Sequence, residues 1–471
     1  MTVKRLLSLL LMGAILPCLF GCSVDETPAA TATTPTTQPT TQTTQPPAPE
    51  EPHPTVSGTF MQPYAFADYD VQRMTAHLQN LKDIGVELLI LQSTFNYTGK
   101  VTKTFFEDSF APEQLADTYN PDAVGFLNVV LSAAKACDME VYLGLTNDGD
   151  WWKKIFTDEA WLNDHVDISL QAARQIYDGY KADYPDTLTG WYFWPEYWNM
   201  DCNAEEITLA TKFISDYRDG LYAIDNTMPM LLSPYITDGV DAAKTQDFWT
   251  NVLSASTLRD GDIFCCQDSV GAGHVTLEQL DGYFAAMKSA ADTKPGLQFW
   301  ANNEDFTPEF KSADMGRFQK QLDITHKYAD THISFAFCHY RNPDVGKTNA
   351  YNAYKHYYET GELHSGTKAS PDVTVESVDQ GFYVKFDISI DNTDGETYAV
   401  FITKDGEEIY KSYFDSDTDA AKQALFANYT DLNMDVGPVQ VFYTIYTVDY
   451  YGNMSEEDVQ IVNVYTKDIY Q

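Results

Sequence analysis

Between residues 57 and 345, short apolar runs alternate with amphipathic stretches, and no other feature constrains the fold as tightly. The apolar runs cover residues 58–63, 86–92, 139–145, 190–194, 230–235, 262–268, 297–304 and 332–340. Helical spacing fills most of the intervals, over 70–84, 120–137, 158–180, 204–219, 277–291, 315–328 and 349–359. In the first helix Met74, Leu78, Leu81 and Ile84 recur three or four residues apart, which puts them on one face, and Gly85 suits a C-cap. Pro121 suits a first helical turn. Eight apolar strands alternating with helices predict an α/β fold, a (β/α)8 TIM barrel. A doubly wound sheet would carry a Gly-rich phosphate turn after the first strand, and this sequence has none there.

In such a barrel the strand ends form the C-terminal rim, where barrel enzymes place their chemistry. Polar residues recur at these ends: Gln62, Gln92, Asn147, Asp148, Glu196, Ser233, Tyr235, Gln267, Asp268, Asn303, Glu304 and His339. Ser233 and Gln62 taken singly read as loop-starting residues. Trp151, Trp194, Trp198 and Trp300 are interleaved with the set, and flat indole faces suit stacking against sugar rings. Glu196 stands between Trp194 and Trp198, and burial there would raise its pKa toward that of a general acid. Glu304 ends the seventh strand, nearly opposite the fourth. Two carboxyl groups converging across one bond are what glycoside hydrolysis needs.

This placement resembles glycoside hydrolase clan A, where the fourth strand carries the acid/base Glu and the seventh the nucleophile Glu. Pro195 precedes Glu196 here, where that clan often has Asn. A closer resemblance rests on Gly58-Thr59-Phe60-Met61-Gln62-Pro63, Gly190-Trp191-Tyr192, Cys266-Gln267-Asp268-Ser269-Val270-Gly271 and Trp300-Ala301-Asn302-Asn303-Glu304-Asp305-Phe306. These look like motifs of a bacterial family of candidate glycoside hydrolases, often lipoproteins, filed as a domain of unknown function. The resemblance implies Glu196 as acid/base and Glu304 as nucleophile. Gln267, Asp268, Asn303 and Tyr235 would orient the sugar and tune Glu304. Gln62, Gln92, Asn147, Asp148 and His339 complete the expected substrate-binding set, and Trp151, Trp194, Trp198 and Trp300 the stacking subsites. Asp268 is the alternative second carboxylate for an inverting enzyme.

The flanks set the context. Lys4 and Arg5 precede an apolar run over residues 6–20 that closes in Leu19-Phe20-Gly21-Cys22, which resembles a lipobox with Cys22 as the lipidated residue. Residues 1–22 are therefore expected to be a lipoprotein signal, and 23–56 a disordered Thr/Pro-rich tether. The barrel is expected over 57–362. Short alternating strands over 367–471, divided by turns such as Asp394-Gly395 and Asp405-Gly406, predict an immunoglobulin- or fibronectin type III-like sandwich. A net charge of −39 argues against nucleic acid as a partner. The expected partners are a carbohydrate and, through the lipid anchor alone, a bacterial membrane, with the protein extracellular and monomeric. The cysteines lack metal-site spacing, and neither cofactor nor metal is expected. Three other classes stay open: a glycan-binding lipoprotein without catalysis, a transporter's solute-binding protein, which should show two lobes, and a metal-dependent hydrolase. The last would want several His at strand ends, and His339 alone fits.

Overall fold

The computed structural model describes residues 53–366, 368, 370–433 and 438–465. Leader, Cys22 and nearly all of the expected tether lie outside them. The tether's expected end does not: Val56 already belongs to the first strand, and its N–H donates to the Tyr354 hydroxyl at 2.7 Å.

Eight parallel strands close into a barrel: β1 (Val56–Met61), β2 (Leu88–Leu91), β3 (Glu140–Gly144), β4 (Leu188–Phe193), β5 (Met230–Leu232), β6 (Ile263–Gln267), β7 (Gln298–Glu304) and β8 (His332–Phe335). β8 pairs with β1 to complete the ring. Eight helices follow in turn: α1 (Val71–Lys82), α2 (Phe126–Ala136), α3 (Glu159–Tyr180), α4 (Ala204–Ile224), α5 (Ala242–Ala255), α6 (Leu277–Ala291), α7 (Met315–Thr325) and α8 (Thr348–Thr360). Local chemistry sets their starts. Asp70, Asp158, Asp241 and Asp314 each cap a helix by accepting a backbone N–H, and Asn203 makes a capping box with Glu206.

Strand side chains alternate between two cores. Phe60, Ile90, Tyr142, Tyr192, Cys265 and Ile333 fill the barrel, whereas Met61, Leu89, Trp191, Phe264 and Cys266 pack outward against the helices. Adjacent Cys265 and Cys266 thus face opposite ways, and the five described cysteines are free thiols.

Several elements depart from the sequence reading. α5 lies in an interval for which no helix was expected. The β2–α2 connection holds strands Phe95–Tyr97, Val101–Thr104 and Leu115–Asn120, which build a four-stranded sheet with Thr146–Asn147. β8 stops at Phe335, and His339 sits on the helical turn Phe337–Tyr340 rather than on the strand.

The C-terminal strands are β9 (Asp372–Val378), β10 (Tyr383–Asp391), β11 (Thr397–Lys404), β12 (Glu407–Tyr413), β13 (Ala424–Leu432), β14 (Pro438–Asp449) and β15 (Asp458–Tyr465). They form antiparallel sheets ordered β9-β10-β13 and β12-β11-β14-β15, a three-plus-four sandwich with its own core around Phe386, Ile402 and Tyr443. β12 and β13 were not foreseen.

Asp415 joins this sandwich to the barrel. It accepts from Ser312 N at 2.7 Å, Ser312 Oγ at 3.0 Å and Lys347 Nζ at 2.6 Å. Met315 N donates to Tyr450 O at 2.9 Å beside it.

Candidate active site

Glu196 lies three residues beyond β4, and the rim there is extended by a parallel bridge between Trp198 and Tyr235. Tyr235 N donates to Tyr197 O at 3.0 Å, and the Trp198 and Tyr235 rings stack 5.5 Å apart. Trp151 meets Trp194 and Trp198 edge-on, at 6.0 and 5.8 Å. Of these rings, Tyr235 lies within electrostatic reach of the Glu196 carboxyl, and Trp194 and Trp198 flank Glu196 in the chain. Burial pushes its pKa up to about 7, while hydrogen bonds from Gln267 and Tyr192 pull the other way. Tyr192 is fully buried inside the barrel, with its hydroxyl 3.5 Å from Glu196 Oε1. Gln267, inward at the end of β6, also donates to Ser233 O at 2.7 Å, which fixes its amide between the two.

Glu304 ends β7, facing inward. Ala272 N donates to its Oε2 at 2.6 Å. The chain reaches that position through Gly271, where a Cβ would stand 2.7 Å from both Glu304 Cβ and Phe306 O. Only glycine allows so close an approach. The Glu304 pKa is raised, by burial first and then by the negative charge of Asp268, against the Ala272 N–H and the charge of Arg317. Glu196 adds a smaller electrostatic push in the same direction, so the two glutamates feel one another.

Asp268 does not face the mouth. It is fully buried behind the strands, and its oxygens are taken up by four donors. Val270 N (3.1 Å) and Glu304 N (3.2 Å) donate to Oδ1, and Gln321 Nε2 (2.6 Å) and Asn303 Nδ2 (3.0 Å) to Oδ2. Neither the sugar-orienting role nor that of second carboxylate fits this position. Asn303 is likewise outward and buried, accepting from His332 Nδ1 at 3.0 Å. Its neighbour Asn302 is the inward residue, donating to Ser233 Oγ at 3.0 Å.

Two further expectations are corrected. Trp300 points into the barrel but lies four residues before Glu304, roughly 13 Å lower at the strand rise. It lines a cavity at the opposite, N-terminal end with Leu88, Met139, Tyr142 and Tyr184. Asp148 is buried and accepts from Trp161 Nε1 at 3.0 Å and Asp150 N at 2.9 Å, so it anchors α3 and the turn before it.

The remaining expected polar residues follow the C-terminal ends of their strands, Asn147 on the added four-stranded sheet. Gln62 accepts from the Tyr64 hydroxyl at 2.7 Å, and its own N–H lies 3.3 Å from His339 Nε2. Burial lowers the His339 pKa to about 4, so it is neutral at physiological pH. Asn147 donates to Asn96 Oδ1 at 3.3 Å, and Gln92 N to Met61 O at 2.9 Å. The sequence reading overlooked Tyr192, Asn302, Arg317 and Gln321. Alternation along β4 and β7 marks the first two; the α7 pair carries no local signal.

With this geometry in hand, known proteins are informative. A family model described as "Domain of unknown function (DUF4434)" matches residues 56–347. No curated protein matches the chain. Among solved structures, a candidate alpha-L-fucosidase from Bacteroides thetaiotaomicron has a TM-score of 0.55 at 20% identity, covering 69% of this chain and 99% of its own. An endo-beta-1,4-mannanase from Thermotoga petrophila has a TM-score of 0.43 at 9% identity, covering 89% and 99%. An intracellular xylanase from Thermoanaerobacterium saccharolyticum has a TM-score of 0.36 at 13% identity, covering 60% and 86%. The first likeness supports the barrel fold.

Proposed function

The chain belongs to the family described as "Domain of unknown function (DUF4434)", and we propose that in this member the barrel mouth hydrolyses glycosidic bonds. The observation that carries the reading is a pair of inward glutamates at the ends of β4 and β7, differently supported and electrostatically linked. Glu196, placed beyond the end of the fourth strand beside Tyr192 and Gln267, is in its protonated form the general acid that protonates the leaving oxygen. Glu304, held by the Ala272 N–H and near Arg317, is the nucleophile. Its attack on the anomeric carbon forms a glycosyl-enzyme as the leaving group departs. Glu196, now a base, takes a proton from the water that releases the sugar, so configuration is retained. Trp151, Trp194, Trp198 and Tyr235 stack against sugar rings, and Gln62, Gln92, Asn147 and His339 offer polar contacts from the rim.

Activity is measured as new reducing ends from soluble β-glucan, xylan, galactomannan and starch, and as 4-nitrophenol from aryl glycosides including the α-L-fucoside. Glu196→Gln and Glu304→Gln should each lower kcat by about 10²- to 10⁴-fold, the usual worth of general acid–base chemistry, while glycan binding persists. Saturable binding with no product, unaffected by either change, would instead make this a glycan-binding protein. The lipobox-like ending and Thr/Pro-rich tether support a place on the cell surface, anchored through Cys22. Cys22→Ser should abolish metabolic labelling by a fatty acid.

A further inference from the structure

Rings also occupy the side of the mouth opposite the tryptophans. In an eight-stranded ring the residues after β4 and after β8 face each other across the opening. After β4 and β5 stand Trp198 and Tyr235. Tyr340, after β8, stands opposite Trp198; on the neighbouring β7 loop, which faces the Trp151 loop after β3, Phe310 stacks on Phe306 at 6.1 Å and 7°, and Phe306 on Tyr340 at 5.5 Å and 22°. The ladder joins the site through rings in contact, Phe306 to Phe335, Phe335 to Phe60, and Phe60 to Tyr192, the partner of Glu196. Tyr340 also lies within the electrostatic reach of Glu304.

Phe310, the outer rung, and Tyr64, which lies within electrostatic reach of Tyr340, are presented to solvent at a cost. Phe310 is 64% exposed and Tyr64 66%, although both are large and aromatic. Phe310 has a φ of +57°, a left-handed conformation that disfavours a bulky side chain. The hairpin tip that holds it is braced locally. Phe310 N donates to Thr307 O at 2.7 Å, and the Thr307 hydroxyl lies 3.3 Å from both Glu309 N and Lys311 N. A strained tip that holds a ring out in water is a positioned platform rather than a packing remnant.

We propose that the mouth is a two-sided cleft that takes an internal stretch of a carbohydrate chain. Trp151, Trp198 and Tyr235 hold sugars on one side of the cleaved bond, and Phe310, Tyr340 and Tyr64 hold those on the other. The inference rests on the hydrolase reading and adds that the enzyme cuts within chains. A site built for one terminal sugar needs a platform on one side only.

The test uses the full chain on cello-, manno- and xylohexaose, their soluble polymers, starch and 4-nitrophenyl monoglycosides. For the polymer that is cleaved, viscosity should fall steeply while few reducing ends appear, and the matching hexaose should be cut at inner bonds. Phe310→Ala should raise KM for that hexaose about tenfold and displace the preferred cut, and Phe310→Tyr should restore both. Release of single sugars from one end, turnover of the monoglycosides alone, or an unchanged KM and cutting pattern in Phe310→Ala would overturn the inference and leave the hydrolase standing. No turnover of any probe would overturn the hydrolase reading, and this one with it.

Discussion

Asp268 and Glu304 are two buried carboxyls whose surroundings differ sharply. Burial raises the Asp268 pKa and its four donors pull it back toward the charged form, in which it raises the pKa of Glu304. Asp268→Asn removes the negative neighbour, so the Glu304 pKa should fall. The acid limb of kcat/KM, which follows ionisation of the nucleophile, should then move to lower pH. The same change turns an amide donor toward Asn303 or Gln321 and should cost about 1–3 kcal/mol of stability; a pH–rate series with a denaturant titration reads both. An unmoved limb would show that Asp268 does not tune Glu304. Glu196 gives a second titration. Its folded pKa of about 7 lies above the usual 4.5, so the native state holds an extra proton between those values. Stability from this group is therefore present at low pH and lost as pH rises from about 4.5 to 7. Glu196→Gln should raise Tm at pH 8 clearly more than at pH 4.

At the scale of the strand, the alternation that exposed the barrel also carried information left unread. If Glu304 faces inward, Asn303 must face outward and Asn302 inward. The same parity puts Gln267 in the mouth and Asp268 behind it. Distance along the strand removes Trp300, which shares the parity of Glu304 but not its height. The fragment from Cys266 to Gly271 was legible as a motif, and its reason is steric: Gly271 lets the loop lay an N–H on Glu304. Gly271→Ala should push the loop or the carboxylate aside. The expected loss is about 1–3 kcal/mol, as for other overpacked sites, with kcat reduced at least tenfold. Thermal melts and initial rates check it, and wild-type kcat in the variant would mean the close approach is dispensable. The strands at 95–97 and 101–104 are very short, and those at 115–120, 407–413 and 424–432 hold polar residues at many positions, so apolar periodicity does not mark them.

For the whole molecule, the seam between barrel and sandwich turns on one carboxylate. Asp415 is 4% exposed and serves Ser312 on the β7 loop and Lys347 ahead of α8. Asp415→Ala leaves the Ser312 N–H without its acceptor and the Lys347 ammonium with the backbone carbonyl of residue 415 but no countercharge. The expected cost is about 3–5 kcal/mol, as when one partner of a buried ion pair is removed. Calorimetry should show the change as a lower Tm or as two transitions where the wild type has one. Because Ser312 closes the loop that carries Phe310, cleavage of long chains should suffer more than that of short ones. The amino-acid sequence by itself determined the class of fold, the count of barrel strands, and Glu196 and Glu304 as their polar ends. Hydrophobic periodicity is local, and a strand's end can be read from the chain alone. Tertiary structure alone decided that Gln321 and Asn303 close on Asp268, that Ala272 lays its N–H on Glu304, and that Phe310 stacks on Phe306. Most of those relations join residues far apart in sequence, and burial and charge at each of them depend on what the other elements bring alongside.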